Sequence, residues 1–170
     1  MPNKLLLTSF QTWLPHQNSN SSDDLLEIIE KSVDLNRYIF LRKLPVNTET
    51  AADNVIEKIE AIKPKCVVCC GMAESRSQLT VESNAVCDRD CRFTRIDLTE
   101  LISRTDNTKI SHDAGKFVCE GLYYQILNYL EINNLDISCI FVHVPLLKAN
   151  NINTIEQDFR TIIDFLDAKA

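Results

Sequence analysis

The chain has no apolar run approaching the roughly 20 residues that cross a bilayer, which argues against a membrane-spanning helix. It has no basic excess either. Eighteen Lys and Arg stand against 24 Asp and Glu, a formal net charge of −6. General nucleic-acid binders carry the opposite balance, so the expectation is no nucleic-acid and no membrane partner. Glycine (3) and proline (5) are scarce in 170 residues. No linker, low-complexity tract or internal repeat stands out. The seven cysteines are an odd number. The opening MPNKLLLTSF has one Lys and a short apolar stretch broken by Thr8 and Ser9, too little for a secretory h-region. The expectation is a cytoplasmic protein whose thiols are mostly free and buried, not a disulfide framework.

What is present is ordinary for a globular protein: 45% hydrophobic and 25% charged residues. At about 150 residues per domain the length favours a single domain over 1–170, large enough to bury a core without metals or crosslinks. Lys4 to Phe10 has the pattern of a buried strand, followed by a polar loop from Gln11 to Ser22. Ser21, Ser22 and Asp23 are candidate caps for a helix with Leu25, Leu26, Ile28, Ile29 and Val33 on one stripe. Tyr38 to Leu44 returns as a strand ended by Pro45. Thr48 or Thr50 starts a second helix, with Val55, Ile56, Ile59 and Ile62 on one face and Pro64 as its stop. Cys66 to Cys70 is wholly apolar, the mark of a strand covered on both faces, and Gly71 ends it.

Strand, helix, strand, helix, strand is the order of an α/β layered domain with a largely parallel sheet. Leu79 to Cys87 is expected as a further strand, and Cys87 to Ile110 is charged and without clear period. Phe117 to Leu130 is helical, Ile137 to Val144 is a strand ended by Pro145, and Thr154 to Leu166 is a closing helix. In open sheets of this kind ligands bind beyond the carboxyl ends of the strands. Ser9, Phe10, Gly71, His143 and Pro145 stand at those ends.

Cys119 follows a small Ala114-Gly115 turn and lies in the first turn of a helix. Free N–H groups and partial positive charge at a helix N-terminus favour thiolate over thiol and can stabilise an oxyanion. His143 lies in Phe141-Val142-His143-Val144-Pro145, where an imidazole among apolar neighbours requires a polar partner. Glu82 lies within Leu79-Thr80-Val81-Glu82. Thiol, imidazole and carboxylate together make a nucleophilic triad. On spacing alone each has a plainer reading: a structural cysteine, a satisfied core or surface histidine, a charge at a strand edge.

Ala-Gly-x-Phe-Val-Cys followed by Leu-Tyr-Tyr, then Phe-Val-His-Val-Pro, resembles the two catalytic motifs of the pyrrolidone-carboxylate peptidase (pyroglutamyl peptidase I) family, cytosolic cysteine peptidases that remove an N-terminal pyroglutamyl residue. Leu6-Leu7-Thr8-Ser9-Phe10, Leu44-Pro45-Val46, Gly71-x-Ala73-x-x-Arg76 and Thr80-Val81-Glu82 resemble other family segments in the same order, over nearly the whole chain. The resemblance implies a three-layer α/β/α sandwich of the phosphorylase/hydrolase-like kind with a largely parallel mixed sheet. It implies Cys119 as nucleophile, His143 as general base and acid, and Glu82 as its orienting carboxylate. Phe10 and Trp13 fall where the family grips the lactam ring, Arg76 where an arginine near the site helps polarise the carbonyl, and Met72 where many members have Gln. A small peptide or pyroglutamyl amide is the implied substrate, with no metal or organic cofactor, and a homo-oligomer is left open.

The chain departs from the family in places. Ser9 and Leu14-Pro15 replace glycines of the opening turn, Glu74-Ser75 replaces a Gly-Gly pair, His112-Asp113 replaces Asn-Thr, and the segment between Glu82 and Ala114 is shorter by a few dozen residues. A second reading is therefore a non-peptidase relative of the same fold with an altered pocket, acting as a binding or assembly protein. Zinc at Cys66, Cys69, Cys87 and Cys91 is disfavoured because strand periodicity puts Cys66 and Cys69 on opposite faces. A redox Cys-x-x-Cys needs a helix start, not a strand. His112, beside Asp113 in a polar turn, is expected at the surface, and the Asn20-Ser21-Ser22 sequon has no bearing without secretion.

Overall fold

The computed structural model describes residues 4–169. In chain order the elements are β1 (Leu5–Phe10), α1 (Ser21–Glu30), β2 (Tyr38–Leu44), α2 (Thr48–Ile62), β3 (Cys66–Met72), β4 (Thr80–Glu82), β5 (Asn84–Cys87), β6 (Asp90–Phe93), α3 (Leu98–Ile102), β7 (Lys109–Ser111), α4 (Val118–Ile132), β8 (Ser138–Val144) and α5 (Ile152–Lys169). Six strands form one sheet in the order β2-β1-β3-β8-β4-β7, and β5 pairs with β6 in a separate hairpin. Every pairing in the large sheet is parallel except β4 with β8.

The apolar strands are buried on both faces, and side-chain alternation divides them between two cores. Leu5, Leu7, Cys66, Val68, Cys70, Ile140 and Val142 pack with α1, α3 and α5. Leu6, Val67, Cys69, Cys139 and Phe141 pack with α2 and α4. The result is helix, sheet, helix: the expected three-layer sandwich. Cys66 and Cys69 do fall on opposite faces.

Three local expectations are corrected. The cap of α1 is Asn20, whose Oδ1 accepts from the Ser22 N–H at 3.0 Å. Ser21, Ser22 and Asp23 are buried instead, and the Ser21 hydroxyl donates to the Val144 carbonyl at 3.0 Å. Asn47, not Thr48 or Thr50, caps α2 by accepting from the Thr50 N–H at 2.9 Å. The stretch Leu79 to Cys87 is two strands in different sheets. Ser83 is the break: its N–H donates to Ser111 on β7, and its carbonyl accepts from Thr94 just after β6. The chain thus leaves the large sheet there and folds back as a hairpin against α4. The charged segment after Cys87 supplies β6, α3 and β7.

Candidate active site

β3 and β8 are parallel neighbours, with Gly71 opposite His143 in register. Register partners point to the same face, about 4.8 Å apart. That face is the α4 side, because Phe141, two residues before His143, belongs to its core. A Cβ built on Gly71 would lie 2.5 Å from Cys119 Sγ and 2.9 Å from Phe141 Cζ. The Cys119 sulfur therefore occupies the space that a side chain at 71 would take, on the side of the sheet that His143 faces. Three chain segments converge here, and Gly71 is the seat that lets the sulfur reach the sheet.

His143 is buried and Glu82 fully so. β4 runs antiparallel to β8, setting Thr80 opposite His143 and Glu82 opposite Phe141. Glu82 Oε1 lies 2.7 Å from His143 Nδ1. The same oxygen accepts from Arg76 Nη1 at 2.5 Å. Arg76 also donates to the Thr80 hydroxyl and, through Nη2 at 2.8 Å, to the Asp113 carbonyl. Burial pushes the Glu82 carboxyl up, but the hydrogen bond and charge of His143 and the Arg76 hydrogen bond outweigh it and hold it below the usual carboxylate range. An ionised carboxylate only accepts, so Nδ1 carries the proton and Nε2 is left as the base. Tyr123 of α4 donates to the Glu82 carbonyl at 2.9 Å, fixing the backbone beneath the carboxylate.

Cys119 is the second residue of α4, as its motif suggests. Phe117 caps the helix without a side-chain hydrogen bond, which leaves first-turn N–H groups of Val118 and Cys119 free of any side-chain cap. Gly115 has φ +96°, so the turn that leads into the helix uses backbone that favours glycine. The expected bias toward thiolate is overturned. Burial pushes the Cys119 thiol up to about 12, and Cys69 and Glu82 push it the same way against the weaker pull of Arg76. Packing of the sulfur between Gly71 and Phe141 removes water, and that outweighs the helix end. The resting group is a thiol, so a base has to take its proton as it reacts.

A cavity of about 200 Å³ opens beside the sulfur, lined among others by Phe10, Trp13, Met72, Glu74, Phe117 and Cys119. Phe10 is buried in its wall, whereas Trp13 is 56% exposed at the rim. Trp13 meets the ring of Phe117 at 5.8 Å in a tilted pair. Gln17 Oε1 accepts from the N–H groups of Trp13 and Leu14, and Gln17 in turn donates to Glu74 at 2.8 Å. His16 Nε2 meets the same carboxylate at 3.1 Å. Glu74, standing in place of glycine, thus anchors the loop that carries Trp13.

Of the residues singled out from the sequence, Phe10, Trp13, Met72 and Cys119 line one cavity, and His143, Glu82 and Arg76 form one hydrogen-bonded chain behind it. Arg76 does not line the cavity; it braces the carboxylate. His112 sits in its polar turn, its Nδ1 2.6 Å from the Ser83 hydroxyl. Gly71 was singled out as a strand end but not as a seat for the sulfur, and the ring of Phe117 and the Gln17-Glu74 anchor were not singled out. Phe117 had a signal, since it directly precedes the helix turn of Cys119. The anchor had none, because its partners are far apart in the chain.

A family model described as pyroglutamyl peptidase matches residues 3–108 and 98–163. The pyrrolidone-carboxylate peptidase of Thermoanaerobacter sp. (strain X514) is 30% identical over 176 aligned positions, covering 88% of this chain and 86% of the relative. That of Oceanobacillus iheyensis is 25% identical, covering 91% and 92%. Among solved structures, pyroglutamyl peptidase I from Bacillus amyloliquefaciens superposes with a TM-score of 0.84 at 17% identity, covering 98% of this chain and 96% of that one. A mutant pyrrolidone carboxyl peptidase from Pyrococcus furiosus gives 0.81 at 17% identity, covering 98% of each.

Proposed function

Because the chain belongs to the pyroglutamyl peptidase family, we propose that Cys119, His143 and Glu82 carry its activity: removal of an N-terminal pyroglutamyl residue from small peptides and amides. The enzyme is a pyroglutamyl peptidase I-like hydrolase, and the family assignment favours this over the binding-protein reading.

The lactam ring enters the cavity between Phe10 and Trp13, with Met72 as an apolar wall. The flat faces exclude water and set the acyl carbon beside sulfur. Sγ attacks that carbon while His143 Nε2 takes the thiol proton. The oxyanion is met by first-turn N–H groups of α4. Glu82 holds the imidazole in the tautomer that accepts, and stabilises the imidazolium. The C–N bond then breaks, and His143 gives its proton to the leaving amine. The thioester remains. Water, deprotonated by His143, attacks it, and pyroglutamate and the Cys119 thiol are released. Arg76 keeps Glu82 in place while positive charge comes and goes on the ring. We read the segment between Glu82 and Ala114 as a shortened form of the family's, closed here by the hairpin. The cytoplasm is the proposed location, in keeping with seven free thiols; no helix among the described residues is long and apolar enough to cross a membrane.

The observation that carries this is the sulfur seated over Gly71, opposite a His143 that is bonded to Glu82. Release of a fluorophore from a pyroglutamyl amide tests it. The expected result is a loss of about a thousandfold or more in kcat for Cys119→Ser. Equal turnover by the two proteins would overturn the assignment of the nucleophile.

A further inference from the structure

A second cavity, of about 310 Å³, adjoins the first and shares Gln17, Met72 and Glu74 with it. Leu146, Leu147 and Lys148 also line it. These residues begin three positions after His143, past Val144 and Pro145. Met72 stands opposite Val144 in the β3–β8 register, so the wall shared by the two cavities borders the strand end that bears the general acid. A leaving amine has to meet His143 to receive its proton. What is attached to that amine is then directed along the chain that leaves β8.

Resting on the peptidase reading above, we propose that this second cavity seats the residue after pyroglutamate and that Lys148 selects leaving groups ending in a free carboxylate. The preferred substrates are then pyroglutamyl dipeptides with an apolar second residue, taken over their amides.

The chemistry of the wall supports that class. Leu146 is 40% exposed and Leu147 lies beside it, an apolar surface for a side chain. Glu74 is not free to bind a cation: His16 and Gln17 hold it, and their hydrogen bonds keep its carboxyl below the usual range. Among the described residues the Lys148 ammonium has no carboxylate partner. Its backbone is fixed, because the Lys148 N–H donates to Asn151 Oδ1 at 2.7 Å and Asn151 donates to the Leu146 carbonyl at 2.9 Å. In a pyroglutamyl dipeptide the carboxylate is one residue from the scissile bond. An amide or a longer chain places a neutral group there.

The test compares kcat/KM for pyroglutamyl-leucine and its amide in the wild type, Lys148→Arg and Lys148→Gln, at low salt. An exposed Lys–carboxylate pair predicts a preference for the acid of about threefold, kept in Lys148→Arg, reduced to about one in Lys148→Gln, and eroded by added salt. One ratio shared by all three proteins overturns the proposal. A wild type that fails to turn over the fluorogenic pyroglutamyl amide overturns the peptidase reading. The subsite is then judged by calorimetry with Cys119→Ser: tighter binding of the acid than of the amide supports it, and equal affinities overturn it.

Discussion

Gly71 is small because the Cys119 sulfur needs its space. A methyl group there would stand 2.5 Å from Cys119 Sγ and 2.9 Å from the buried Phe141 ring, closer than real Cβ contacts allow. Gly71→Ala is expected to displace the sulfur, lowering kcat on a pyroglutamyl amide at least a hundredfold, with a stability loss of about 1–3 kcal/mol from overpacking. Kinetics beside a thermal melt separates the two; an active, unshifted variant contradicts the seat. At this scale the sequence was legible wherever the signal is local. Cys119 and His143 sit in short motifs, and their neighbours identify them. Arg76 was legible as belonging to the site but not in its contacts, because its hold on Glu82 depends on how β4 registers beside β8. Ser9 shows the converse. It replaces a family glycine, yet it has no positive φ and is buried with its hydroxyl donating to Asp23 Oδ1 at 2.7 Å. Nothing there requires glycine.

That serine leads to the way elements are joined. Asp23 of α1 also takes two hydrogen bonds from Arg42 of β2, at 2.9 and 3.0 Å, while Arg42 reaches Glu30 at 2.8 Å. One cluster ties β1, α1 and β2 beneath the loop that bears Trp13. Burial pushes the Asp23 carboxyl up, but the hydrogen bonds of Arg42 and Ser9 and the charges of Arg42 and Lys43 bring it below its ordinary 3.8. A carboxyl depressed in the folded state contributes stability above its unfolded value and loses it as pH falls through the folded one. Asp23→Ala should therefore cost about 2 kcal/mol at neutral pH, in line with charged hydrogen bonds. The gap between variant and wild type should close as pH falls below 3.8, as urea titrations at several pH values would show. Elements were legible where an apolar run or stripe was long enough to set a period. The Ser83 break was not, since apolar residues continue on both sides of it (Val81, then Ala85 and Val86) and only the hydrogen bonds to Ser111 and Thr94 divide them. The caps lie one residue before the first of the candidates because Asn20 and Asn47 precede serines and threonines that are equally able to cap.

In the whole molecule, cysteine is distributed by burial. Cys66, Cys69, Cys70 and Cys139 are buried, Cys87 is exposed, and Cys91 and Cys119 are in between. Labelling with a thiol reagent at neutral pH should reach Cys87 and Cys91 readily in the folded protein, Cys119 far more slowly because burial holds it as a thiol, and all seven in urea; four or more labelled in the native state would contradict the packing of β3 and β8. The three-layer plan followed from strand and helix order, but the strand order did not. β8 lies between β3 and β4, and no pattern in the chain announces that a late strand enters the middle of the sheet. That placement has a consequence for biosynthesis. Until residues 138–144 leave the ribosome, β1 to β3 have no strand to join them to β4 and β7, and His143 is still missing from its place opposite Gly71. A nascent chain stalled before that point holds two separate half-sheets, so the large sheet can close only after β8 has emerged.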